Sequence, residues 1–121
     1  MRATLSNYHQ SPRKVRLVAD LIRGKSVPSA LRALAFLPKR SAPAVAKLLH
    51  SALANARAEG AAPEQLFVRA ITVDKGRVQK KGRPFARGRS GIIRTTMSHV
   101  KLELAPIKRT ENRKQRTGKS K

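Results

Sequence analysis

Eight cations and no carboxylate stand in the twenty residues from 75 to 94, which read KGRVQKKGRPFARGRSGIIR. Lys75, Arg77, Lys80, Lys81, Arg83, Arg87, Arg89 and Arg94 supply ammonium and guanidinium donors. The chemistry open to such a set is phosphate recognition, by point charge from lysine and by the planar fork of arginine. Phe85 adds one aromatic face on which an unstacked base can lie. A merely solvated loop usually mixes charge signs, and this one does not. Only Val78, Pro84, Phe85, Ala86, Ile92 and Ile93 bring apolar surface. That is too little to offset the entropy of ordering the segment. The composition points to a polyanionic partner that supplies the missing stabilisation.

The rest of the chain offers little else that reacts. Asp20, Glu59, Glu64, Asp74, Glu103 and Glu111 are scattered. His9, His50 and His99 lie far apart, and there is no cysteine. No acid–base constellation, metal site or cofactor is expected, and the chain does not read as an enzyme. Phosphate-cradling glycine loops need a strand–loop–helix setting. Here the glycines join two strand-like runs, so they fit turns and close approach to a backbone. A second cationic group, Arg13, Lys14 and Arg16, falls off the apolar stripe of a helix and is a candidate contact surface.

These groups must be carried by a small body. The chain has 121 residues, enough for one domain, and its 28 Lys and Arg against 6 Asp and Glu leave a net charge of +22. Such an excess favours nucleic acid or an anionic membrane as partner. Many apolar residues are alanine and the aromatics are only Tyr8, Phe36, Phe67 and Phe85, so the core is thin. No apolar run approaches the ~18 residues that span a bilayer. The first residues show no signal-peptide core, and no transit peptide is expected. The lack of cysteine fits a reducing compartment.

Residues 3–8 read as a short strand. Ser11-Pro12 marks a helix start, with Val15, Val18, Ala19 and Ile22 at helical spacing, Leu17 and Leu21 widening the face and Gly24 closing it. A second helix starts near Ser26, Val27 and Pro28, carries Ala30, Leu31, Leu34 and Ala35, and stops at Pro38. A third runs from Ser41 to Gly60 with Val45, Leu48, Leu49, Ala52, Leu53 and Ala56 in one stripe. It is alanine-rich, allows close approach, and belongs at the centre of the domain. Residues 66–73 and 92–104 read as strands. Their natural pairing is an antiparallel hairpin with an extension over about 74–93. Kept paired, its tip projects about 25–30 Å at ~3.3 Å per residue. Without a partner, residues 76–90 are expected to be mobile. Residues 106–121 form a basic tail expected to be disordered unless bound.

Three segments carry a resemblance. SPRKVRLVADLIRGKSV at 11–27, HSALANA at 50–56 and RPFARGRSGIIRTTMSHVKLEL at 83–104 are similar to the first helix, the central helix and the signature of the bacterial-type uL22 family of ribosomal proteins. The last holds a Pro-x-Ala-x-Gly-Arg core before a Ser-His pair. Met97 departs from the usual threonine there, and Gly82 and Phe85 occupy tip positions that often differ. The resemblance covers residues 3–104. It implies an α+β fold with three helices on a three-stranded antiparallel sheet, spanning residues 1–105, and a long hairpin. It further implies a structural role in the large subunit, with 23S-type rRNA and neighbouring ribosomal proteins as partners. The hairpin would reach the peptide exit tunnel and meet the nascent peptide. Lys80, Lys81, Gly82, Arg83, Pro84, Phe85, Ala86 and Arg87 would lie at or near its tip. Arg89 and Arg94 would sit on the arms against rRNA, and Lys25 and His99 would join the rRNA contacts. In the family, tip changes affect macrolide sensitivity and nascent-chain stalling. A cytoplasmic ribosome is expected rather than an organellar one, with no membrane and no homo-oligomer.

Two other readings compete on charge alone. A nucleoid-type DNA architectural protein usually shows a dimer seam and intercalating arms; this chain has one unpaired arm and no obvious seam. A basic enzyme acting on RNA lacks its acid–base set.

Overall fold

The structure is a computed structural model that describes residues 1–107. The expected basic tail lies outside the described residues, apart from Pro106 and Ile107. The elements run β1 (Arg2–Tyr8), α1 (Pro12–Ile22), α2 (Val27–Phe36), α3 (Ala42–Ala58), β2 (Leu66–Pro84) and β3 (Ser90–Pro106). The three strands form one antiparallel sheet in the order β1-β3-β2. The fold is α+β, with the helices covering one face of the sheet, as expected.

Helix α1 starts at Pro12, whose missing N–H is no loss in the first turn. Ser11 is the cap residue, but its hydroxyl makes no capping bond; its carbonyl accepts from the Lys14 and Val15 N–H groups, each at 3.2 Å. Val15, Val18, Ala19 and Ile22 are buried as expected. Leu17 and Leu21 are not part of that face: they are 61% and 36% exposed. At about 100° per residue they fall beside the stripe, and a short helix lying on a sheet buries only one narrow stripe. In α2 the buried set is Val27, Ala30 and Leu34, while Leu31 is half-buried and Ala35 is exposed, contrary to the expected face. All six expected apolar positions of α3 are buried, and it packs on α2, β1 and β3. Asn55 donates from Nδ2 to the Arg2 carbonyl at 2.8 Å, tying α3 to the start of the sheet.

The sheet supplies the other half of the core through Val68, Ile71 and Val73 of β2 and Val100, Leu102 and Leu104 of β3. β3 is central. β2 is an edge strand along its body half, and that edge is covered. The Gly24 N–H donates to the Val68 carbonyl at 3.0 Å, and the Val68 N–H donates to the Lys25 carbonyl at 2.9 Å. Arg23 Nη2 reaches the Ile71 carbonyl at 3.0 Å. Arg16 gives two bonds to the Val73 carbonyl, from Nε at 3.2 Å and Nη2 at 3.1 Å. Two guanidiniums and one loop thus occupy acceptors that would otherwise invite another strand.

The sheet then narrows. β1 ends at Tyr8 opposite Ser98, and beyond that level only β2 and β3 continue. Both flanking strands are irregular here: the register shifts between Leu5 and Tyr8 in β1 and between Lys75 and Val78 in β2. Asn7 takes a φ of 54°. Its N–H donates to His99 Nδ1 at 3.2 Å. The buried Ser98 hydroxyl donates to the Gln10 carbonyl at 2.5 Å. A Cβ at Gly76 would stand 3.1 Å from His99 Nε2 and 3.1 Å from the Met97 carbonyl, so the second irregularity admits little bulk.

Candidate nucleic-acid interface

Beyond the buried Met97 and Ser98, from Val78 opposite Thr96 to Pro84 opposite Ser90, the two long strands continue as a projecting ribbon. Six steps at ~3.3 Å carry its paired part about 20 Å from the body, before the turn is added. The turn comprises residues 85–89 and is closed by the Phe85 N–H to the Arg89 carbonyl at 2.6 Å. Within it Arg87 sits at φ 61° and Gly88 at φ 73°, a left-handed pair that reverses the chain. Residues 80–90 are exposed.

The register decides which cations share a face, because side chains alternate along a strand. Lys80 stands directly opposite Arg94 on one face. Lys81 opposes Ile93 and Arg83 opposes Gly91 on the other. Like charges directly opposite each other repel in the free protein, by roughly 0.2–1 kcal/mol. The ion pairs among the described residues are Arg2–Glu103 and Arg23–Asp20, so none neutralises the ribbon. Such an arrangement suits an anion that inserts between the charges.

Several expected positions shift in detail. Lys80, Lys81, Gly82, Arg83 and Pro84 are the last residues of β2, while Phe85, Ala86 and Arg87 enter the turn. Arg89 is in the turn and not on an arm, because the strands pair up to Pro84 and Ser90; Arg94 is on the arm as expected. Phe85 is only 56% exposed, because its ring lies over Gly91. A Cβ at Gly91 would collide with Phe85 Cε2, so the ring occupies the space a side chain would need. One ring face is therefore engaged with the ribbon rather than free.

A second group gathers at the ribbon's root. Ser11, Pro12, Arg13, Arg16, Lys75 and Thr96 line an open cleft of about 390 Å³ between the start of α1 and the hairpin. This brings together Arg13, Arg16 and Lys75 from two distant parts of the chain. Arg16 serves twice, since its guanidinium is also bonded to Val73. Lys14 is exposed on α1 but does not line the cleft, and Arg77 stands at the β2 irregularity. Lys25 lies at the other end of the body, beside Val68. His99 is half-buried between the two irregular strands; accepting at Nδ1 requires its proton on Nε2. Arg23 and its edge-covering bond escaped the sequence reading. The available signal was its spacing of seven from Arg16, two helical turns along one face.

Among the described residues, no group of three or more His, Cys, Asp or Glu could hold a metal ion, and no helix is long and apolar enough to cross a membrane. The family model for ribosomal protein L22p/L17e matches residues 3–105 of this chain. The chain belongs to that family. The match runs from β1 nearly to the end of β3 and contains both cationic groups. Curated relatives agree. A large ribosomal subunit protein uL22 from Citrifermentans bemidjiense is 48% identical over 107 residues, covering 88% of this chain and 96% of that protein. Its counterpart from Geobacter metallireducens is 50% identical over 105 residues, covering 86% and 96%. That from Herpetosiphon aurantiacus is 48% identical over 100 residues, covering 82% and 88%.

Proposed function

We propose that this chain is a structural rRNA-binding protein of the large ribosomal subunit in a bacterial cytoplasm, without catalytic activity. The observation that carries the reading is the projecting ribbon: residues 75–94 hold eight cations and no acid, and residues 80–90 are exposed throughout. The body docks on 23S-type rRNA, and the root cleft with Arg13, Arg16 and Lys75 grips phosphates where α1 meets the hairpin. Lys14, Lys25, Arg77 and His99 add contacts around the body. Lys80, Lys81, Arg83 and Arg94 neutralise phosphates along the ribbon as it threads between rRNA segments. Lys80, Lys81, Gly82 and Arg83 lead into the tip, where Pro84, Phe85, Ala86, Arg87 and the turn residue Arg89 form part of the peptide exit tunnel wall and meet the nascent peptide. Neighbouring large-subunit proteins complete the surroundings, and binding helps organise rRNA during assembly.

With roughly five phosphates neutralised, counterion release gives a log–log salt slope of about −3 to −5 for rRNA binding. Filter binding across a salt series measures it, and a slope near zero would remove the electrostatic mechanism. Sedimentation of the tagged chain with large subunits from cell extract tests the assignment; migration with the nucleoid instead would reject it.

A further inference from the structure

We propose that the groove at the end of the sheet remote from the hairpin holds one unstacked nucleotide of the bound RNA. Phe67 is its stacking surface and Arg69 the cation that anchors its phosphate. This rests on the rRNA-binding reading above and adds a site far from the ribbon. The groove has a volume of about 750 Å³ and is lined by Gly24, Ser26, Phe67, Arg69, Ala105, Pro106 and Ile107. Pockets of roughly 300–1,000 Å³ accommodate small organic molecules, so a nucleotide fits.

Three observations select that occupant. The register passes from Val68 opposite Leu104 to Ala70 opposite Glu103, which leaves Arg69 unopposed on a bulge. Bulges re-aim side chains, and this one puts an exposed guanidinium at the groove with no hydrogen bond or ion pair among the described residues. Phe67 is half-buried, lines the groove, and has its backbone held on both sides, by pairing with Ala105 and by a bridge to Ser26, so the residue has a fixed place in the groove wall. Among the described residues, no acidic side chain lines the groove. An aromatic ring and an arginine are the two side chains on which splayed bases stack. A peptide adding as a strand is excluded at this edge, because the backbone of Gly24 and Lys25 already holds both polar groups of Val68.

The chain contains no tryptophan, so Phe67→Trp introduces a single fluorescent reporter at the wall. Titration with purified large-subunit rRNA should quench its emission with the midpoint seen in filter binding. Phe67→Leu keeps apolar packing but loses the ring. It should weaken rRNA binding about fivefold or more with an unchanged salt slope. Arg69→Ala should lower the magnitude of the slope by about 1. That residue is exposed on a bulge, so this variant still reports if Phe67→Trp fails to fold. Emission unchanged by rRNA, together with unaltered binding of Phe67→Leu and Arg69→Ala, would overturn the site. A blue shift appearing only in reconstituted subunits would overturn it too, and assign the groove to a neighbouring protein. Binding by the unmodified chain without these effects sinks the groove alone, whereas no rRNA binding at all sinks the functional reading with it.

Discussion

The two halves of β2 and β3 share one ladder and obey different rules. In the body half, Val68, Ile71, Val73, Val100, Leu102 and Leu104 are buried under the helices, and the outer carbonyls of β2 are capped by Arg23 and Arg16. In the ribbon half the ladder continues to Pro84 and Ser90, but residues 80–90 are exposed and cations face each other. Backbone hydrogen bonding is the same in both. A two-stranded hairpin is marginal alone, and three strands with an apolar face are not. The ladder therefore sets the shape of the ribbon, while side-chain burial decides which half is stable without a partner.

The largest expected contrast comes from truncating one apolar residue in each half. Leu102→Ala removes a fully buried side chain of β3 in the body half and should cost about 2–5 kcal/mol. Ile92→Ala, at a position 67% exposed, should change stability by less than about 0.5 kcal/mol. Urea unfolding followed by circular dichroism measures both; a large loss for Ile92→Ala would mean that the ribbon packs on something in the free protein.

The covered edge gives a smaller effect. Arg16→Ala strips two bonds from the Val73 carbonyl and should cost about 1–2 kcal/mol of free-protein stability, besides weakening rRNA binding. The exposed Lys14 on the same helix makes no such bond, so Lys14→Ala should leave stability unchanged within about 0.5 kcal/mol. Urea unfolding separates the two. An Arg16→Ala variant that binds RNA poorly but unfolds like the parent would show the guanidinium to be free for phosphate alone.

Within the ribbon, Gly91→Ala should displace the Phe85 ring and loosen the turn while leaving global stability within about 0.5 kcal/mol. Loss of ring-current shifts at residue 91 and faster amide exchange at Phe85 would register it. The smallest effect has an opposite sign in the two states. Lys80→Ala relieves repulsion with Arg94 and should steady the free ribbon by roughly 0.2–1 kcal/mol, yet lower the magnitude of the rRNA salt slope by about 1. Amide exchange across residues 76–90 and filter binding read the two signs. A loss in both would mean that Lys80 packs on the ribbon instead of repelling.

Much of the body was legible because local signals agree there. Pro12, Pro28 and Pro43 open helices, the stripes of α1 and α3 bury as spaced, and β-branched runs mark the strands. The widths of the helix faces were not legible, since Leu17 and Ala35 are exposed for lack of a second neighbour to cover them. The cationic interface was visible as composition, but its register was not. Gly76, Gly82, Gly88 and Gly91 all resemble turn residues, and only pairing shows that the reversal falls at 85–89, which carries Arg89 out of the arm. The bulge at Arg69 and the root cleft depend on pairing between distant segments, which no local pattern records, while Arg23 left only its spacing from Arg16 as a signal.

The strand order has a consequence in time. Among the described elements β1 comes first, yet its strand partner is β3, the last of them, with Arg2 paired to Glu103 and Ala3 to Leu102. Loop closure over nearly the whole chain must precede those contacts, a topology that folds slowly. A chain interrupted anywhere before Ser90 has no central strand and cannot form any of this sheet. Synthesis must therefore pass through β3 before a stable body exists, and products cut short of it are left with exposed apolar helices, open to proteolysis and aggregation.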